Sequence, residues 1–150
     1  MRHVIKQAWA AAALSLCVSG TALADEHQGF RNCRSWLSGL YAFSATGFTF
    51  PNGVAQPKAI VELLRFNGDG TITVQGATIS FNGVITQVPP GGSGVYTLNA
   101  DCRGTVVFND NRGTTYDIYV APSGDDLWMI QTAGTPANNA FQGNATKVAP

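Results

Sequence analysis

From residue 40 onward, apolar and polar side chains alternate in short runs separated by turn-forming residues, the period-two mark of half-buried β-strands. In the first run, Leu40–Phe48, Tyr41, Phe43 and Ala45 occupy one face and Ala42, Ser44 and Thr46 the other. Further runs cover Ala59–Phe66, Thr71–Phe81, Val84–Val88, Gly94–Leu98, Thr105–Asn109, Thr114–Ala121, Leu127–Thr132 and Ala140–Val148. Asn67-Gly68-Asp69-Gly70 and Asn82-Gly83 are tight hairpin signals, because Gly supplies positive φ at no steric cost. Phe50-Pro51-Asn52-Gly53, Pro89-Pro90-Gly91-Gly92-Ser93, Asp110-Asn111-Arg112-Gly113 and Pro122-Ser123-Gly124-Asp125 break the other runs. Gly76, inside the third run, predicts a bend or bulge. No helical period follows residue 24, although 33–38 could form one turn.

Eight or nine strands joined mostly by hairpins predict an all-β domain with an antiparallel up-and-down arrangement. Such a meander closes into a barrel of about eight strands or folds as a β-sandwich. Closure removes strand edges, which suits a chain with few charges to guard them, so a barrel is the expected form.

The chain before the first strand has a different pattern. Arg2, His3 and Lys6 precede an apolar stretch from Ala8 to Val18, and Ala22-Leu23-Ala24 supplies small residues at the positions a signal peptidase reads. Residues 1–24 are therefore expected to be a secretory signal peptide cut between Ala24 and Asp25. The apolar stretch is too short to span a bilayer as a mature helix, and no other long apolar run exists, so no transmembrane segment is expected. Leu16 is bulky where lipoprotein processing at Cys17 needs a small residue. The product should be a single extracytoplasmic domain, 25–150, periplasmic or secreted.

Composition then narrows its partners. The mature part carries seven basic and nine acidic residues, a net charge of −2, with no run of either sign. Nucleic-acid binding needs a basic stripe to neutralise phosphates, and docking to anionic membranes needs a basic cluster; neither is present. Two cysteines remain, Cys33 and Cys102. An oxidising compartment favours a structural disulfide between them, a cross-link contributing about 4 kcal/mol in the chain-entropy model.

Three stretches together resemble a group of small exported bacterial β-barrels. They are Gly39-Leu40-Tyr41-Ala42-Phe43-Ser44-Ala45-Thr46-Gly47-Phe48, Phe66-Asn67-Gly68-Asp69-Gly70, and the segment from Gly94 to Thr105 that includes Asn99-Ala100-Asp101-Cys102-Arg103-Gly104. The group is similar to calycin-type, lipocalin-like, or allene-oxide-cyclase-type barrels, most of them without assigned activity. The resemblance spans most of residues 33–148 and implies the barrel. Its motifs specify strands, turns and one cysteine, and imply no catalytic residue.

Candidate chemistry is sparse. His27 is the one histidine left after cleavage, and it stands near the new terminus, which disfavours Ser-His-Asp or Cys-His catalysis. With both cysteines bridged, no zinc site can be assembled. Asp69 and Asp110 lie in turn sequences without the spacing of a calcium loop, and are expected to form Asx turns. No metal or cofactor is expected. Carboxylates inside strands carry more weight. Glu62 shares a face with Ile60, Leu64 and Phe66, while Arg65 lies on the other face with Val61 and Leu63. Asp117 lies with Tyr119, opposite Tyr116, Ile118 and Val120. If the Ile60 row points into a barrel, Glu62 is buried and its pKa rises, suiting it to acid–base work or to holding a ligand's polar end; an outward Glu62, or one with a structural partner, is the plainer alternative.

The functional expectation is an exported, cofactor-free barrel that binds a small apolar ligand, with Tyr41, Phe43, Glu62, Tyr119 and Trp128 lining its interior. One alternative is a cofactor-free isomerase or cyclase acting through Glu62 or Asp117. Another is a structural envelope protein with a filled core. The shape of the interior discriminates among them.

Overall fold

The computed structural model describes residues 37–134 and 139–150. The signal segment, the cleavage point before Asp25, His27 and Cys33 lie outside the described residues. Nine β-strands form among those described: β1 (Ser38–Thr49), β2 (Gln56–Asn67), β3 (Thr71–Phe81), β4 (Val84–Val88), β5 (Ser93–Leu98), β6 (Arg103–Phe108), β7 (Thr115–Val120), β8 (Asp126–Ala133) and β9 (Ala140–Ala149). Each matches one alternating run of the sequence, with ends shifted by a few residues.

All pairings are antiparallel, in the order β2-β1-β9-β8-β7-β6-β5-β3-β4, and β2 also pairs with β3. That last pairing closes β1, β2, β3, β5, β6, β7, β8 and β9 into an eight-stranded barrel. β4 is an extra strand outside the closed ring, and here the architecture departs from a simple meander. The cause is a bulge. The β2–β3 register slips between Leu63 and Leu64, where Leu63 faces Gly76 and Leu64 faces Val74. Gly76 has φ 137, a backbone conformation that side chains with a Cβ rarely adopt. β3 bends there. Its first half, Thr71–Thr73, pairs with β5, and its second half, Ala77–Phe81, pairs with β4.

Closure also needs two strands to approach tightly. Gly143 on β9 lies against β1, and a Cβ there would run into the Ser44 carbonyl oxygen and meet Ala45 Cβ at 2.6 Å. Only glycine fits at that crossing.

One end of the barrel is plugged. Tyr41 and Phe66 meet edge-to-face at 5.1 Å, and Phe66 and Tyr96 at 5.2 Å. The polar tips of both tyrosines are satisfied: Tyr41 Oη donates to the Gly124 carbonyl at 2.6 Å, and Tyr96 Oη to the Leu37 carbonyl at 3.0 Å. Leu37, Leu64, Ile72, Val106, Ile118 and Leu127 fill the space between, all fully buried. Burial of each such side chain contributes about 2 kcal/mol, so this end is the stable base of the fold. Cys102 is buried at the same end, in the turn before β6.

The turns behave as their sequences predict. Asp69 Oδ1 accepts hydrogen bonds from the backbone N–H and hydroxyl of Thr71. Asp110 accepts from the backbone N–H groups of Arg112 and Thr114 and from the Thr114 hydroxyl. These are turn-forming carboxylates. Among the described residues, no group of three or more His, Cys, Asp or Glu side chains is arranged to hold a metal ion. No described helix is long and apolar enough to cross a membrane.

Candidate ligand-binding cavity

At the end opposite the aromatic plug, the inward side chains become small or polar, and space opens. A cavity of about 480 Å³ lies between the inner faces of β2, β3 and β4 and the end of the β6–β7 hairpin. Its apolar wall comes from Ile60, Val74, Ile79, Phe81, Val88, Phe108 and Tyr116. Ala77, Ser93 and Thr86 stand where larger side chains would fill it. The volume falls within the range of sites for small organic ligands.

Glu62 lines this cavity, and Lys58 stands two pleat repeats nearer the mouth on the same face of β2, with Ile60 between them. Glu62 is only 9% exposed. Among the described residues it forms no hydrogen bond and no salt bridge. Its register partners are Phe43 on β1 and Ala77 on β3, neither of which has a polar side chain. Burial raises its pKa from 4.5 to about 7, opposed in part by the charge of Lys58. A carboxyl group in this state is shared between neutral donor and anionic acceptor near neutral pH.

Lys58 is held over the ring of Phe141, with Nζ 4.0 Å from the centroid, and lies 5.6 Å from the Phe81 centroid. Its Nζ donates to Gln131 Oε1 at 3.3 Å. Burial lowers its pKa, and Arg112 lowers it further, while Glu62 acts in the opposite sense. The Tyr116 hydroxyl is pushed up by burial first and by the nearby Glu62 charge second, so it remains a neutral phenol. Tyr116 is fixed by edge-to-face contacts with Phe43 at 5.8 Å and Phe108 at 6.0 Å. Asp110 and Arg112 line the mouth. The chamber therefore combines an apolar wall with one acid lacking a partner among the described residues, one amine and one phenol.

The five residues expected to line an interior site are not all brought together. Glu62 does line the cavity. Phe43 points inward and supports Tyr116, but it is core, 1% exposed. Tyr41 also points inward, yet it belongs to the plugged end; burial raises its hydroxyl pKa to about 12, with smaller contributions from Asp125, Tyr96 and Asp126. Tyr119 and Trp128 sit on the outer wall, 48% and 55% exposed, and line no part of the interior. Asp117 shares the outward face of Tyr119, as the alternation of β7 implies. On β8 both faces carry apolar side chains, whereas on β7 the outward row is Thr115, Asp117 and Tyr119. Tyr116, Ile118 and Val120 on β7, with Leu127 and Met129 on β8, take the inside.

Lys58 and Phe81 also line the cavity, and Gln131 and Phe141 hold Lys58 in place; none of these four stood out in the sequence as a site residue. The spacing Lys58-x-Ile60-x-Glu62 was the available signal, since period two puts all three on one face of a strand. Comparison with known protein families, with curated proteins and with solved structures gave no match for this chain.

Proposed function

We propose that the protein is an exported, cofactor-free barrel that binds one small, mostly apolar ligand in the open end of its interior. The observation that carries this reading is the cavity of about 480 Å³ with the buried Glu62 carboxyl facing it. A buried polar group without a partner costs free energy, and a ligand that offers a hydrogen-bonding group to Glu62 recovers it. The apolar wall takes the body of such a ligand, and Glu62 with Lys58 takes its polar end. A lipophilic environment-sensitive dye should fluoresce on binding the exported protein. Ala77→Trp, which fills the chamber with an indole, should weaken that binding about tenfold or more while leaving the fold intact. Equal dye binding by parent and Ala77→Trp, or no retained compound and no dye binding at all, would exclude this reading. Export itself is part of the proposal, as is a Cys33–Cys102 bridge.

A second reading is favoured by one specific observation. Glu62, with its pKa near 7, faces the neutral Tyr116 phenol across an apolar space. That pairing suits a cofactor-free isomerase or cyclase, in which positioning and one acid–base group do the chemistry. Slow turnover of a bound ligand that stops in Glu62→Gln would favour it over simple binding.

A further inference from the structure

The outer wall of the barrel carries a second concave feature, a groove of about 850 Å³ that crosses β3, β2, β1, β9, β8 and β7. Its floor is low because the outward side chains there are small: Ser44 and Thr46 on β1 and Ala59 on β2, with Gly143 on β9. Trp128 and Tyr119 rise along one side. They are direct register partners on neighbouring strands, and Asn144 and Ser44 continue the same row across β9 and β1.

Two properties bear on what this groove could hold. None of its lining residues is charged. In addition, its polar groups are not spent on one another. Among the described residues, the Tyr119 hydroxyl, the Trp128 indole N–H and the amides of Asn144 and Gln142 make no hydrogen bond within the chain. Some such groups elsewhere on the surface do pair: Thr97 with Thr105 at 3.0 Å, Asn109 with Ser93 at 3.1 Å, and Asn67 with Thr71 at 2.9 Å.

We propose that this groove binds a neutral oligosaccharide chain. A sugar ring has an apolar C–H face, which stacks on an aromatic ring, and a rim of hydroxyls, which need both donors and acceptors. Trp128 and Tyr119 supply two neighbouring aromatic surfaces about 5 Å apart at their backbones. The amides and hydroxyls around them supply uncharged donors and acceptors. An anionic polymer would find no cation in the groove, and a purely apolar partner would bury the Asn144 and Gln142 amides unpaired, at a cost of about 1–3 kcal/mol each. Val61, Ile85 and Ile130 add an exposed apolar flank, so the lining suits a neutral chain that has both C–H faces and hydroxyls.

Affinity electrophoresis of the exported protein through gels containing β-glucan, xylan or mannan tests this, with alginate as the anionic control. Retardation by at least one neutral polymer is expected, and Trp128→Ala should weaken it about tenfold or more. Tyr119→Ala, on the same exposed face, should also weaken it and serves if Trp128→Ala fails to fold. Ala77→Trp, which fills the interior, should leave retardation unchanged, so failure here and failure of the interior-ligand reading are separable. No retardation by any neutral polymer, retardation by alginate alone, or equal retardation of the parent and both variants would overturn the proposal. A dimer that Trp128→Ala converts to monomer, without sugar binding, would instead make the groove an interface between copies and would also overturn it.

Discussion

At the scale of single residues, Glu62 sets the most direct test of the site. Its pKa is raised from 4.5 to about 7, so the folded protein holds this proton more tightly than the unfolded chain does. The contribution of this group to stability is therefore full below about pH 4.5 and falls as pH rises through 7, by about 3 kcal/mol in total. Glu62→Gln keeps the size and removes the titration. In urea unfolding, its stability relative to the parent should rise by about 1–3 kcal/mol between about pH 5 and about pH 8. A relative stability that does not change across that range would contradict the buried position. The sequence placed Glu62 on one face with Ile60, Leu64 and Phe66, but Val61 and Leu63 make the other face apolar too, so its inward side was an open alternative until the ring closed. Its closeness to Tyr116 and Phe43 was not legible there, since these come from strands whose order in the ring depends on closure.

At the scale of elements, glycines decide what the strands can do. The bulge at Gly76 lets β3 serve two partners, and the close β1–β9 approach at Gly143 draws the barrel shut. Gly143→Ala would put a methyl group against the Ser44 backbone, which cannot give way as a flexible side chain could. We expect it to cost about 2–4 kcal/mol, read as a drop in thermal midpoint; an unchanged midpoint would mean that β1 and β9 do not approach this closely. A bend or bulge at Gly76 was legible as a glycine within an alternating run. The consequence, that β4 leaves the ring and β5 takes its place beside β3, follows from hydrogen-bond pairing between segments distant in sequence.

At the scale of the whole molecule, the barrel is asymmetric along its axis. The aromatic plug of Tyr41, Phe66 and Tyr96 fills one end, and the other holds the cavity around Glu62. Packing and open space are thus separated: substitutions in the plug should unfold the protein, while those lining the cavity should leave it folded. Under the proposed export and cleavage before Asp25, the protein should resist thiol reagents until reduced, because a Cys33–Cys102 bridge would tie the segment before β1 to the buried turn that contains Cys102. Labelling without reductant would contradict that bridge. The separation was not visible beforehand, because Tyr41, Phe43 and Glu62 all satisfy the same rule of facing inward.

What the sequence determined by itself was local: eight or nine strands, their turns, an antiparallel arrangement, and which residues of each strand share a face; a closed barrel was the expected form rather than a local reading. Alternation and turn chemistry act between near neighbours, so they can be read along the chain. Where both faces of a strand are apolar, as with Trp128 against Met129 on β8, parity alone does not say which face is inside. Tertiary structure made that choice. Once the ring closes, the inner face must exclude water while the outer face need not, and packing around the circumference sends Tyr116 and Met129 inward and leaves Tyr119 and Trp128 on the wall. The same closure decided that the interior is filled at one end and open at the other, because that depends on side chains from β2, β3, β4, β6 and β7 meeting in space.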